Sequence, residues 1–197
     1  MKIFDWMAFC VFALAAAAPA AATEPAAALP GDSLYQLDLP LTDQTGRTFA
    51  LRELRGRPQL VALFYTSCGY VCPLIIDTAK ATERALPAAS LYRLDVLLVS
   101  IDPARDDVAA LAAVAKRRGL DAARWRLVRT DAEHVRELAA ALGVQYRQLS
   151  DGEFNHASVL TALDAEGRIV KQSRRLGEAD PDLAAALSGL VKSAPSP

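Results

Sequence analysis

From Tyr35 to Leu54 apolar and polar residues alternate on either side of Asp43-Gln44-Thr45-Gly46. A period of two broken by a turn tetrapeptide predicts a β-hairpin. The stretch Pro58 to Tyr65, PQLVALFY, is almost continuously apolar, which predicts a strand covered on both faces. Behind it, Pro73 to Leu86 carries apolar residues at helical spacing, and Pro73 falls in the first turn, where its missing N–H does no harm.

The same alternation of types continues down the chain. LDVLLVSID, Leu94 to Asp102, predicts a second buried strand, and Asp106 is the expected cap of a helix running to Gly119. WRLVRT predicts a strand from Trp125, and the periodicity from Asp131 to Leu142 a helix that stops at Gly143. VQYRQL is a short extended piece. ASVLTALD and RIVKQS, separated by Ala165-Glu166-Gly167, predict a second hairpin, and Pro181 to Lys192 a last amphipathic helix. Strand and helix in alternation imply an α/β domain whose central mixed sheet has parallel members and helices on both faces. The pattern is thioredoxin-like, with an added N-terminal β-hairpin.

The N-terminus is a different object. Lys2 precedes the uncharged stretch Trp6 to Ala22, which ends in small residues before Thr23-Glu24-Pro25. Residues 1–22 therefore read as a secretory signal peptide or, uncleaved, as a membrane anchor. The Ala- and Pro-rich residues 23–33 read as a flexible tether, and residues 34–193 as one domain. The expected location is the periplasm, soluble or held at the inner membrane by residues 6–22, which would be the sole contact with lipid. With 197 residues, 52% of them hydrophobic, the chain has material for one core. A net charge of −1 with scattered lysines and arginines lacks the basic footprint of a nucleic-acid partner.

Composition sharpens the chemistry. Cys10 lies in the leader behind Phe9, not behind the small residue of a lipoprotein site, so Cys68 and Cys72 are the domain's only cysteines. A domain of this size needs no disulfide to fold, so the pair invites a chemical role. It sits between the end of a buried strand and the start of a helix, where helix N–H groups should lower a thiol pKa and favour thiolate. Three residues separate the cysteines, where thioredoxin-type oxidoreductases have two. On a helix, residues four apart place their Cβ atoms about 5–6 Å apart, whereas a disulfide prefers roughly 3.5–4.5 Å. Two sulfurs sharing one metal ion fit this spacing more easily than a disulfide.

No proline occurs between Pro103 and Pro181 to supply the cis-proline that faces the cysteines in thioredoxin-type reductases. His156, in FNHAS, is expected at that place, at the head of the strand ASVLTALD. Two thiolates and an imidazole suit Cu(I), and an added oxygen would suit Cu(II). Zinc would accept the same set but usually takes a fourth protein ligand. A structural disulfide and a purely redox pair stay open, because CxxxC alone is a weak motif. His134, in a helix capped by Asp131, reads as an exposed helical residue, and Asp102, Asp106 and Asp107 as strand-end and capping carboxylates. Thr-x-x-Cys, the peroxiredoxin signature, is absent, since Tyr65 and Gly69 stand three before the cysteines.

FYTSCGYVCP, VSIDPARDD and FNHASVLTALDAEGRIV resemble, in order and spacing, the motifs of Sco/SenC copper-binding proteins, assembly factors of cytochrome c oxidase. The resemblance runs from about Pro40 to about Leu190. It implies one copper per chain, as Cu(I) or Cu(II), held by Cys68, Cys72 and His156. It further implies a metallochaperone that receives copper from a donor chaperone and passes it to the dinuclear site of oxidase subunit II or another acceptor. The same thiols could reduce that subunit's cysteines, and a thiol-disulfide oxidoreductase working without metal is the alternative. Two departures from the family pattern stand out. Asn155-His156-Ala157 replaces Asp-His-Ser, and Gly69 follows Cys68 where the family has proline. Met1 and Met7 both lie in the leader, so the domain offers no thioether to copper.

Overall fold

The computed structural model describes residues 28–69 and 71–193. The expected leader 1–22 and residues 23–27 of the tether lie outside the described residues. The end of that tether is in contact with the domain: Leu29 packs against the core, and the Ser33 hydroxyl donates to the Glu166 carbonyl.

Strands β1 (Pro40–Asp43) and β2 (Thr48–Ala50) form the expected N-terminal hairpin, with Gly46 at φ +86° in the turn. The core pair is β3 (Gln59–Phe64) and β4 (Asp95–Ser100), parallel and buried at every position. Near-continuous apolar sequence is what a strand covered on both faces requires. Helix α1 (Val71–Arg84) connects them, and α2 (Val108–Arg118) connects β4 to its parallel neighbour β5 (Trp125–Arg129). Helix α3 (Ala132–Ala141) leads to β6 (Tyr146–Gln148) and β7 (Phe154–His156). The hairpin of β8 (Leu160–Leu163) and β9 (Ile169–Ser173) precedes α4 (Pro181–Ser193).

Seven strands make one mixed sheet in the order β2-β1-β5-β4-β3-β8-β9. The N-terminal hairpin joins it through β1 and β5, and the Gln44 side chain clamps the join by bonding both the Trp125 carbonyl (2.7 Å) and the Leu127 N–H (2.9 Å). Successive residues of β9 point to opposite faces. Lys171 pairs with Asp182 of α4, whereas Gln172 donates to the Leu142 carbonyl at the end of α3. Helices therefore cover both faces, as expected for a thioredoxin-like α/β domain.

Two local expectations change. The cap of α2 is Asp107, which accepts from the Ala110 N–H at 2.7 Å, and not Asp106. Asp106 is fully buried and turned into the domain. Two adjacent aspartates before a helix look alike in sequence, and packing decides which one faces the helix. The second change concerns FNHAS. Residues 154–156 do not open the sheet strand but pair with β6 in a separate two-stranded sheet, and β8 begins only at Leu160.

Candidate metal centre

The cysteines occupy the strand-to-helix junction at the C-terminal end of β3, where an α/β sheet presents its ligand sites. Cys72 is the second residue of α1, and its N–H donates to Cys68 Sγ at 3.3 Å. Cys68 thereby serves one of the N–H groups that a first helical turn leaves without a carbonyl. Cys72 Sγ in turn accepts from the Tyr65 N–H at 3.4 Å. The two thiols are neighbours and are not joined as a disulfide.

Their surroundings differ. Cys72 is 3% exposed, and burial pushes its thiol well above the ordinary value, against the lowering effect of the Tyr65 amide. The expected depression by the helix N-terminus does not hold at this residue. Its side chain turns into the core, and loss of hydration outweighs the helix field. Cys68 is half-buried and faces a cleft of about 190 Å³ shared with Thr66, Pro73 and Arg117.

The loop before Cys68 is anchored from below. Asp106 accepts from the Thr66 N–H (3.0 Å), the Thr66 hydroxyl and the Ser100 hydroxyl, and so ties the β3–α1 loop to the end of β4. A buried carboxylate with three donors is satisfied in a way an isolated one is not.

His156 packs against Tyr65. The tyrosine ring is edge-on to His156 at 5.9 Å and to Phe154 at 5.4 Å, and it also lines the cysteine cleft. Its hydroxyl donates to Glu153 Oε2 (3.1 Å) and accepts from the Phe154 N–H (3.5 Å). Burial raises the phenol above its ordinary value, assisted by the Cys68 thiol beside it. Both ring nitrogens of His156 are buried without a hydrogen-bond partner. Burial holds the imidazole below its ordinary pKa of 6.5, only partly offset by the Ala157 backbone, so the ring is neutral at neutral pH. As they stand, the thiols and the imidazole are not gathered: among the described residues no three His, Cys, Asp or Glu side chains are grouped to hold a metal ion.

Arg105 latches the two halves of this region. It pairs with buried Asp102 of the β4–α2 loop, with Glu153 (3.2 Å), and with the Gly152 carbonyl (2.7 Å), and it lies over the Phe154 ring. His134 is where the sequence put it, on α3 with Nδ1 against the capping Asp131, away from the thiols.

The SCO1/SenC family model matches residues 29–192, almost all of the described chain. The chain belongs to the SCO1/SenC family. A SCO2-like protein of Rickettsia felis is 35% identical over 71 residues, 35% of this chain and 33% of that protein. The chain spans about a third of the length of the curated relatives it matches. Bradyrhizobium japonicum ScoI, solved with copper bound, superposes with a TM-score of 0.64 at 24% identity, over 77% of this chain and 96% of that one. BsSco, described with a disulfide switch and as a member of the Sco family of cytochrome c oxidase assembly proteins, gives 0.65 at 20% identity over 79% and 90%. At such identities these structures establish the shared fold.

Within this SCO1/SenC domain, Tyr65, Asp106, Arg105 and Glu153 are the residues sequence reasoning passed over. Tyr65 reads as the last apolar residue of a buried strand, and Asp106 as a cap. The one available signal was the acidic Asp102 to Asp107 stretch, whose charge exceeds what a single helix cap uses.

Proposed function

We propose that the chain is an exported copper metallochaperone that delivers copper to the dinuclear copper site of cytochrome c oxidase, on subunit II. The observation that carries this reading is the pair of adjacent thiols with, packed against Tyr65, an imidazole whose two nitrogens are buried and unpartnered. An unpaired buried polar group costs about 1–3 kcal/mol. A metal ion on one of the two nitrogens relieves part of that cost, and two sulfurs with one neutral imidazole match a soft ion such as Cu(I). Cys68 and Cys72 supply sulfur and His156 nitrogen, and the Tyr65 ring shifts aside for the third ligand to join. Family membership and the copper in a structural neighbour support the reading.

The oxidoreductase alternative uses the same thiols. The buried proton of Cys72 opposes both readings alike, since exchange and metal binding each need a thiolate, and it is the unpartnered imidazole that favours the metal. The leader 1–22 would carry the domain to the periplasm. No helix among the described residues is long and apolar enough to cross a membrane.

A chelator-competition titration of the reduced protein with Cu(I) and Cu(II) tests the proposal. One tight equivalent, weakened about tenfold or more in His156→Ala through loss of one ligand, is expected. Binding no stronger than that of a Cys68→Ser, Cys72→Ser double variant would refute it, and disulfide reduction that persists undiminished in His156→Ala would favour the alternative.

A further inference from the structure

His156 faces two environments. On one side it packs edge-on against Tyr65, which also lines the cysteine cleft of about 190 Å³. On the other side it forms part of the wall of a groove of about 780 Å³ between α3 and the β6–β7 pair. The floor of that groove is apolar, with buried Ala139 and Val144 and half-buried Tyr146. Its charged wall residues are both cations, Arg136 on α3 and Arg147 on β6, and no carboxylate lines it. Both arginines are exposed, and neither makes an ion pair or side-chain hydrogen bond among the described residues. Most of the chain's other arginines do: Arg55, Arg105, Arg118, Arg124, Arg126 and Arg168 all hold carboxylates.

Two guanidinium groups without a carboxylate among the described residues, flanking an apolar trough, match an acidic, partly apolar chain segment. Guanidinium groups bind carboxylates through paired N–H donors and are weakly hydrated, which suits them to interfaces. We propose that this groove is the docking surface for an acidic segment of the oxidase subunit that receives copper from the chain. The carboxylates of that segment pair with Arg136 and Arg147, and its apolar residues cover Val144 and Ala139. The placement rests on the functional reading above, because it makes His156 the side of the metal centre that the partner approaches. Charge complementarity of this kind governs encounter rate and partner choice, and it weakens with salt.

The test measures binding of the metal-free, full-length chain to the purified soluble domain of the organism's own oxidase subunit II. Copper loading plays no part in it, so a failed copper titration and a failed docking measurement are separate results. The variants are Arg136→Glu with Arg147→Glu, the milder Arg136→Gln with Arg147→Gln, and Arg174→Glu as an exposed control outside the groove. The double reversal is expected to raise Kd about tenfold or more at low salt, the Gln pair by less, and the gap to narrow at about 0.5 M salt. The control should stay within about twofold, the range of a rim charge outside the contact. Unchanged circular dichroism and an unchanged urea midpoint establish that the variants are folded. No binding by the unmodified chain, equal Kd for chain and double reversal, or an equal effect of the control overturns the proposal.

Discussion

Asp106 and Asp107 are adjacent and chemically identical, yet one is buried under the cysteine loop and the other caps α2 in water. Asp107→Ala removes one exposed capping bond and should lower unfolding free energy by about 1 kcal/mol. Asp106→Ala leaves the Thr66 N–H, the Thr66 hydroxyl and the Ser100 hydroxyl without an acceptor, and should cost about 3 kcal/mol or more. Urea titrations of the two variants give the comparison, and equal losses would contradict the buried role. Cys72 makes a second prediction at this scale. Its folded pKa is raised, so its contribution to stability is complete below the ordinary thiol value of 9.0 and is lost as pH rises above it. Copper must displace the same proton, whereas His156, already neutral, adds no proton above pH 6.5. Apparent Cu(I) affinity should therefore rise about tenfold per pH unit between about pH 7 and 9 for each thiol proton displaced, with competitor protonation corrected for. A flat profile would show that neither thiol gives up a proton to the metal and would contradict the ligand set.

At the scale of elements, β6–β7 is a two-stranded sheet with no neighbour in the main sheet, and such a pair is marginal by itself. Arg105 and Tyr65 hold it down from the β4–α2 and β3–α1 sides. Arg105→Ala should speed amide hydrogen exchange from Tyr146 to His156 and leave β3 and β4 unchanged. Exchange that rises equally across the sheet would argue against a local latch. The β8–β9 turn is held differently. Gly167 has φ +81°, and a Cβ there would stand 2.6 Å from Tyr35 Cδ2, so Gly167→Ala should destabilise by roughly 2 kcal/mol or more in a thermal or urea melt. The elements themselves were legible in the sequence, because continuous apolar runs, alternation and capping residues act over a few positions. The hairpin, both buried strands and the Asp131 cap lie where the pattern put them. The exception is 154–156, three residues with no period of their own, whose pairing with 146–148 is set by the turn between them.

Over the whole molecule, one sheet joins the N-terminal hairpin, the parallel core and the C-terminal hairpin, so no boundary divides the described domain. Its unfolding should be a single transition, coincident by far-UV circular dichroism and by fluorescence of buried Trp125. Separated midpoints would contradict that continuity. The sequence by itself determined the order of strands and helices, the position of the cysteine pair at a strand-to-helix junction, and the candidacy of His156, since each depends on residue type and short spacing. Tertiary structure alone decided what surrounds them. Thr66 meets Asp106 across 40 positions and Tyr65 meets Phe154 across 89, and no local pattern encodes such contacts. The same assembled core buries Cys72 and brings the Tyr65 ring against both the cysteine cleft and His156, because packing at that distance is a property of the whole chain.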